Sequence, residues 1–415
     1  MNTAYYSISQ VADIISVSKE TLRRWDNNGT LVAQRCPDNN YRIYHRSQLE
    51  RFESAQSLFN SKWDEELRAT PLRSYKLIEL FAGTGGLAIG MEKSGFDSVL
   101  LNEIDKHACN TLRKNRPNWN VVEGDISGID FTAYHNQIDI LSGGFPCQAF
   151  SYAGNKLGFE DARGTLFFEF ARAVKESNPK VILAENVRGL LKHDDGKTLE
   201  AIKSVIDELG YQLVEPRVLK AMFYKVPQKR ERLILVGIRK DFANKVQFRW
   251  PSPYKRIMNL RDALKKGELY DSDVPPSDGQ KYPEKKKQVL SLIPQGGYWR
   301  DLPEKIQKAY MMKSYYLGGG KTGMARRLSW DEPSLTLTCS PAQKQTERCH
   351  PDETRPLTVR EYARIQTFPD DWAFSGPITS QYKQIGNAVP VNLAHAVGRS
   401  LIRLLNDMER GKTTI

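Results

Sequence analysis

Cysteine is scarce in this chain and never paired. Cys36, Cys109, Cys147, Cys339 and Cys349 are odd in number and no two stand at C-x-x-C spacing, which excludes a disulfide framework and speaks against a zinc site. Cys349-His350 has no companion pair at metal-ligand spacing, so no metal is expected. Long apolar runs are missing as well. Without a stretch of about 18 apolar residues there is no helix to cross a membrane, and the opening MNTAYYSISQ lacks the basic and apolar regions of a secretory signal. The expected location is the cytoplasm, with no membrane partner. What stands in excess is positive charge, 61 Lys+Arg against 49 Asp+Glu for a net +12. It is concentrated between Arg239 and Arg327, where 20 basic residues face 9 acidic ones. Such a stretch attracts polyanions by neutralising phosphates and releasing counterions. A solvated, lysine-rich surface has the same composition, so charge alone does not decide. With 415 residues, 40% of them hydrophobic, there is material for two or three domains.

Residues 7 to 31, SISQVADIISVSKETLRRWDNNGTL, predict two short helices. Ser7 and Gln10 have capping-box spacing, Val11, Ile14 and Ile15 form one apolar face, and Ser18 is placed to cap a second helix carrying Leu22 and Trp25. Asn28-Gly29 ends it, and YRIYHRSQLERF reads as a short strand, Tyr41 to Tyr44, followed by another helix. Helix, turn, helix and wing is a DNA-binding order, with Lys19, Arg23 and Arg24 on the exposed face of the second helix. The segment resembles the winged-helix domain of mercury-resistance-type regulators and phage excisionases. Through Arg73 the chain carries 10 Lys+Arg and 9 Asp+Glu, so the non-specific DNA affinity of this part is expected to be modest. A helical cap for protein contacts is the competing reading. Residues 61 to 74 are polar, contain Pro71 and read as a helix end plus linker.

From Lys76 the pattern turns to strand, glycine turn, helix. Leu77 to Phe81 is an apolar strand, Gly83, Gly85 and Gly86 follow, and a helix runs toward Gly95. Glycines at such a turn let the backbone approach a ligand, and the helix N-terminus favours a polar group. A second strand, Ser98 to Leu101, ends in Asn102-Glu103, where an acidic residue is placed for both hydroxyls of a ribose. A third ends at Gly124-Asp125-Ile126, with Asp125 suited to an adenine amino group and Ile126 to its ring. Three strand ends point at one adenosine. A dinucleotide carrier shares this topology, but its fingerprint needs a third glycine where Gly83-Thr84-Gly85-Gly86-Leu87-Ala88 has alanine. That leaves a mono-adenosine ligand such as S-adenosylmethionine.

The stretch GGFPCQAFS, Gly143 to Ser151, sets Cys147 behind a fourth apolar strand, at the end of the sheet where such folds bind ligands. A thiolate there is a strong nucleophile, whereas an isolated cysteine is ordinarily a buried small hydrophobe. A fifth strand, Val181 to Ala184, ends in Glu185-Asn186-Val187, a carboxyl placed to donate or share a proton. Gln228-Lys229-Arg230-Glu231-Arg232 leads into the strand Leu233 to Val236, along which Arg230 and Arg232 project to one face. Each alone reads as surface or sheet-edge chemistry; together, in this order, they read as a catalytic set.

Six motifs now stand in one order: Phe81-Ala-Gly-Thr-Gly-Gly, Gly143-Gly-Phe-Pro-Cys-Gln, Glu185-Asn-Val, Gln228-Lys-Arg-Glu-Arg, Arg355-Pro-Leu-Thr-Val-Arg-Glu and Gln384-Ile-Gly-Asn-Ala-Val-Pro. From about Tyr75 to the C-terminus the chain resembles the DNA cytosine-5 methyltransferases. The resemblance implies an α/β fold: a Rossmann-like S-adenosylmethionine-dependent methyltransferase sheet with helices on both faces, a smaller target-recognition domain and, here, an N-terminal helix-turn-helix module. The implied domains are 1–60 for the module, 61–74 for the linker, 75–239 for the catalytic domain, 240–355 for target recognition and 356–415 for a return to the catalytic domain, with the helix Asn392 to Leu405 beside the first strand. The implied reaction moves a methyl group from S-adenosyl-L-methionine, leaving S-adenosyl-L-homocysteine, to C5 of a cytosine flipped out of a specific duplex sequence.

In that scheme Cys147 adds to C6, because C5 is too weak a nucleophile until the ring gains this electron density. Glu185 holds the proton at N3, Arg232 holds the cytosine carbonyl, and Arg230 lies near the thiolate and the backbone phosphate. Residues expected at the cofactor are Phe81, Gly83, Thr84, Gly85, Gly86, Leu87, Glu103, Ile104, Asp125, Ile126, Pro146, Leu166, Asn387 and Ala388. Those expected at DNA are Gln148, Ser151 and Arg163 around the thiol, Gly318, Gly319, Gly320, Lys321, Arg326 and Arg327 in the basic segment, and Arg23 and Arg24 in the module. Gly154 to Thr165 is expected to close over the base.

The implied setting is a restriction-modification system, with double-stranded DNA as partner, a cognate restriction endonuclease that acts on the same site without a stable complex, and a monomeric enzyme. The N-terminal module is expected to bind the operator of its own gene. Two other classes compete. A transfer-RNA cytosine-5 methyltransferase would lack the long basic region, and a chain that is primarily a DNA-binding transcriptional regulator would not need an intact Cys147 and Glu185.

Overall fold

In the computed structural model the described residues are 4–146 and 166–411. They form two units, Met1–Arg68 with Ser252–Ile257, and Ala69–Pro251 with Met258–Ile415. In the first, strands β1 (Tyr5–Ser7), β2 (Gln34–Arg35) and β3 (Arg42–His45) pair antiparallel in the order β1-β3-β2, beside helices α1 (Ile8–Ile15), α2 (Lys19–Asn27), α3 (Arg46–Leu49) and α4 (Glu53–Phe59). The helices begin where hydroxyls satisfy their first N–H groups. Ser7 Oγ accepts from Gln10 N while Gln10 Oε1 accepts from Ser7 N at 2.8 Å, and Ser18 Oγ accepts from Thr21 N at 2.9 Å. Val11, Ile14, Leu22, Leu31 and Tyr44 are buried. Asp26 ties α2 to the β2–β3 hairpin, accepting from Ala33 N at 2.8 Å and Arg42 Nε at 2.6 Å. Burial opposes the charge on Asp26, but these two donors hold its carboxyl below the usual range.

Residues 61–74, read from the sequence as a helix end plus linker, contain the short helix α5 (Trp63–Glu66). Trp63 meets Tyr254 edge-on with ring centroids 5.3 Å apart, and Glu66 accepts from Ser252 Oγ at 2.8 Å. Those partners lie nearly 190 positions away in sequence, beyond what a local pattern discloses.

The second unit is built on an eight-stranded sheet. Its strands are β4 (Tyr75–Leu80), β5 (Phe96–Glu103), β6 (Val121–Glu123), β7 (Ile140–Gly143), β8 (Val181–Val187), β9 (Tyr211–Leu213), β10 (Arg217–Lys220) and β12 (Glu231–Arg239), while β11 (Gln228–Lys229) pairs separately with β13 (Ser334–Leu335). The spatial order is β6-β5-β4-β7-β8-β12-β10, with β9 also on β12. From β6 to β8 the pairing is parallel, and β12 runs antiparallel to β8, β9 and β10. Helices α6 (Gly86–Ser94), α7 (Lys106–Asn115), α8 (Leu166–Ser177) and α9 (Lys197–Glu208) alternate with the parallel strands, so those strands carry continuous apolar runs such as Ile140-Leu141 and Val181-Ile182-Leu183-Ala184, all buried. The chain leaves β4 toward β5 and β6 on one side and returns to β7 and β8 on the other. That reversal opens a crevice at the carboxyl ends of β4 and β7. No helix among the described residues is long and apolar enough to cross a membrane.

The helix Val391–Glu409 lies against α6 more closely than side chains permit. A Cβ on Gly86 would stand 2.2 Å from Val389 O, one on Gly90 2.4 Å from Ala394 Cβ, and one on Gly398 2.4 Å from Ser94 Oγ. Gly90→Ala is therefore expected to cost about 1–3 kcal/mol, the range for overpacking a filled interior. Gly128→Ala, where nothing lies within 4 Å of the added carbon, should stay within about 0.5 kcal/mol. Scanning calorimetry of the two variants beside the parent measures the contrast, and equal midpoints would refute the close-packing account.

Candidate active site

A cavity of about 1030 Å³ fills the crevice. Its wall takes one group from each successive strand end: Glu103 from β5, Phe81 after β4, Pro146 after β7, Glu185 from β8 and Arg232 from β12. At roughly 4.8 Å per strand the three steps from Glu103 to Glu185 span about 14 Å.

At the β4–β5 end, Phe81, Gly83, Gly86 and Leu87 line the cavity. Phe81 has φ 57°, Gly83 56° and Gly85 88°, a left-handed path that a residue with a side chain, as at Phe81, adopts only under constraint. No side chain caps α6, which leaves its first N–H donors open to a ligand. Glu103 is held beneath the turn. Its Oε2 accepts from Gly83 N at 2.7 Å, and Oε1 accepts from Ile104 N at 2.9 Å and Asp105 N at 2.8 Å. Ile104, Pro146, Leu166, Asn387 and Ala388 are also on the wall.

Four residues expected at the cofactor are not among those lining the cavity. Thr84 is buried and donates to Gln384 Oε1 at 3.1 Å. Gly85 makes room for Leu112, whose Cδ2 would lie 2.8 Å from an added Cβ. Asp125 accepts from Ser127 N at 2.8 Å and caps its own turn; the Ser127 side chain and backbone hydrogen bonds hold its carboxyl below the usual range. Ile126 is buried in the hydrophobic core. Thr84 and Gly85 serve partners distant in sequence, Asp125 its own turn and Ile126 the core.

At the β8–β12 end, Val187 stands opposite Arg232 and Glu185 opposite Ile234, which makes Glu185 and Arg232 diagonal neighbours on one face of the sheet. Arg232 Nε forms an ion pair with Glu185 Oε1, both side chains largely buried. Asn186 Nδ2 donates to Phe145 O at 2.9 Å and fixes β8 to the residues preceding Pro146. Cys147, Gln148, Ser151, Arg163 and the stretch 154–165 lie outside the described residues.

Arg230, expected near the thiolate and the backbone phosphate, lines the cavity with its guanidinium held by carbonyls. It is 2% exposed, its Nη1 donates to Leu337 O at 3.2 Å and its Nη2 to Gly386 O at 2.9 Å and Asn387 O at 3.4 Å. Burial, then the neighbouring Arg232 charge, pushes its pKa down. The group is an anchor of the cavity wall, with two chain segments, at Leu337 and at Gly386-Asn387, gathered on it. Next to it Gln228 Nε2 donates to Gln366 Oε1 at 2.8 Å, Gln228 Oε1 accepts from Leu337 N at 3.0 Å, and Gln366 Nε2 donates to Ile385 O at 2.7 Å.

Several residues of the wall, and Gln228 behind it, escaped sequence reasoning. Asn186, Gln228 and Gln384 stand inside the quoted motifs but act as scaffold, which no spacing rule distinguishes from chemistry. Glu79, one residue before the end of β4, is 2% exposed, and burial followed by the Glu103 charge raises its pKa well above the carboxylate range. The only signal for it is an acid in an otherwise apolar strand. Cys339 is an exposed thiol on the wall that donates to Asn387 Oδ1 at 3.3 Å. By contrast Cys109 is buried, and burial pushes its thiol up to about 12.

Away from the cavity, Gly318, Gly319 and Gly320 are exposed, and the Lys321 ammonium donates to Leu317 O. Arg326 is half-buried with its guanidinium 5.9 Å from the Tyr298 ring centroid, and burial pulls its pKa down. Arg327 is not available to DNA. It is 4% exposed, and its guanidinium donates to Ile293 O at 2.8 Å, Leu290 O at 2.8 Å, His350 O at 3.0 Å and Thr354 Oγ1 at 2.9 Å. In the module Arg23 and Arg24 are exposed on α2, Arg23 donating to Glu20 Oε2 at 2.6 Å.

Two family models match the chain: C-5 cytosine-specific DNA methylase over residues 75–403 and MerR HTH family regulatory protein over residues 6–62. The chain is 70% identical over 405 residues to the Type II methyltransferase M.Eco47II of Escherichia coli, covering 98% of this chain and 97% of that one. It is 62% identical over 402 residues to the Type II methyltransferase M.PspPI of Psychrobacter sp. (strain TA137), covering 97% of each. Among solved structures, a DNA modification methyltransferase encoded within an E. coli prophage superimposes with a TM-score of 0.63 at 24% identity, over 80% of this chain and 100% of that one. A likeness at that identity speaks for the fold alone.

The contrast between Arg327 and Lys321 is testable. Arg327→Ala strands several buried carbonyls and should cost on the order of 3 kcal/mol in urea unfolding. Lys321→Ala should leave stability within about 0.5 kcal/mol while lowering duplex affinity and reducing its salt slope by about one. An Arg327→Ala protein of parental stability with weakened DNA binding would reverse the assignment.

Proposed function

The chain belongs to the C-5 cytosine-specific DNA methylase family, and from that premise we propose that it moves a methyl group from S-adenosyl-L-methionine to C5 of a cytosine flipped out of a specific duplex sequence, as the modification enzyme of a restriction-modification system. The observation that carries this reading is a single cavity with two chemically different ends. The Phe81–Gly86 turn with Glu103 suits an adenosine, and the Glu185–Arg232 pair beside Pro146 suits the polar edge of a cytosine. S-adenosyl-L-methionine supplies a methyl group on a positively charged sulfur. The donor set fits it: uncapped N–H groups at the start of α6, the Glu103 carboxylate within the turn and a buried acid, Glu79, on the wall.

Cys147 follows Pro146 directly, and its thiolate is assigned the addition to C6. Glu185 holds the proton at N3 while Arg232 donates to the base carbonyl. Because the two side chains already pair across β8 and β12, little reorganisation is needed as charge develops on the ring. C5 and C6 are inaccessible in a stacked duplex, so the base enters only when flipped. A water takes the C5 proton before the thiol leaves. Relatives named as Type II methyltransferases across almost the whole chain, together with the basic segment, favour duplex DNA over transfer RNA. The enzyme is read as a cytoplasmic monomer, with the partner nuclease meeting it only at the shared DNA site.

Labelled methyl groups are expected to enter duplex DNA and not transfer RNA. A duplex carrying 5-fluorocytosine should trap a covalent adduct with the parent and with Cys339→Ser but not with Cys147→Ser; peptide mapping to Cys339 would overturn the assignment. Glu185→Gln should lower kcat by about 10²–10⁴-fold with cofactor affinity unchanged.

The exposed pair Arg23 and Arg24 on α2, within the MerR HTH match, supports a second role in binding the operator of the protein's own gene. Footprinting upstream of the gene should show protection that Arg23→Ala/Arg24→Ala removes, with the methylated sequence unchanged. A changed methylated sequence would make the module part of the enzyme's own grip on DNA.

A further inference from the structure

We propose that Glu79 is the anionic seat for the positive charge of the cofactor, and that cofactor binding expels the proton this carboxyl carries. The proposal rests on reading the cavity as the S-adenosyl-L-methionine site. Glu79 sits on β4 between Leu101 of β5 and Ser142 of β7. It is 2% exposed, lines the cavity, and its Oε2 has no hydrogen-bond partner among the described residues. A polar atom buried in this way is costly unless something else satisfies it.

The charged groups around it do not. From β5 comes Glu103, of like charge, and from β7 only the neutral Ser142. Glu185 of β8 and Arg232 of β12 share the cavity but are paired with each other. Arg230 is held by carbonyls, and Lys383 of the helix Ile378–Asn387 by Asp105 Oδ2 at 3.2 Å. Lys93 of α6 and His395 and Arg399 of Val391–Glu409 are not on the cavity wall. Burial and the Glu103 charge both disfavour ionisation of Glu79 and raise its pKa.

An onium group arriving beside it reverses this balance. The O–H bond of Glu79 breaks, its electron pair stays on the carboxylate against the cation, and the proton passes to solvent. Two charges on the cofactor can play this part. The sulfonium is present only in S-adenosyl-L-methionine, whereas the α-ammonium is present in S-adenosyl-L-homocysteine as well.

The test is isothermal titration calorimetry of the full-length protein between pH 6 and 8, in buffers of different ionisation enthalpy, so that the slope of observed heat against buffer heat counts protons. S-adenosyl-L-methionine should release protons on binding, and its affinity should rise with pH until the carboxyl ionises unaided. Release with S-adenosyl-L-methionine alone assigns the sulfonium, and release with S-adenosyl-L-homocysteine too assigns the ammonium. Glu79→Gln should bind without release and without pH dependence. If that variant does not fold, methylthioadenosine, which carries neither charge, serves with the parent protein: it should bind without releasing a proton. Binding of S-adenosyl-L-methionine with no proton released, equal release by Glu79→Gln, or equal release by methylthioadenosine overturns the role of Glu79 and leaves the cavity reading intact. Failure of all three nucleosides to bind overturns both.

Discussion

A guanidinium buried away from water has to be surrounded by acceptors, and the cavity wall is organised by that requirement at Arg230. Its two terminal nitrogens draw Leu337, Gly386 and Asn387 to the start of β12, and the Gln228–Gln366 amide pair extends the same arrangement to Ile385. The sheet supplies strand ends spaced by hydrogen bonding, but a crevice between strands is open on one side. The segments gathered on Arg230 and the two glutamines enclose it. Removing any one of these donors leaves buried carbonyls without partners, so the wall stands or falls as a set.

Much of the architecture was legible from the chain alone, because local rules dominate where it is regular. Ser7, Gln10 and Ser18 announce helix starts that the hydrogen bonds bear out, and the apolar run before Gly83 announces a strand delivering its glycines to a crevice. Residues that act across long sequence separations are a different matter. Thr84 and Gly85 sit in the turn beside the cavity yet serve Gln384 and Leu112, and α5 is held by Ser252 and Tyr254. Glu79 looks like an interruption in a strand until its neighbours are known. Spacing reveals which strand end a residue occupies, but not whether the tertiary structure has already claimed its side chain.

The basic segment shows the same limit in electrostatic form. Its excess of Lys and Arg suggests a surface for phosphates, yet part of that charge is internal. Arg327 ties the stretch Leu290–Ile293 to the stretch His350–Thr354, and Lys286 forms an ion pair with the fully buried Glu347. The potential felt by a duplex is set by the remaining exposed lysines and arginines, and counting residues overstates it.

The helix Val391–Glu409 meets α6 through glycines, and the residues just before it finish the cavity. They lie about 300 positions beyond the glycine turn they complete. Enclosing the cavity therefore closes a very long loop, and contacts of that separation pay their closure entropy before they gain anything.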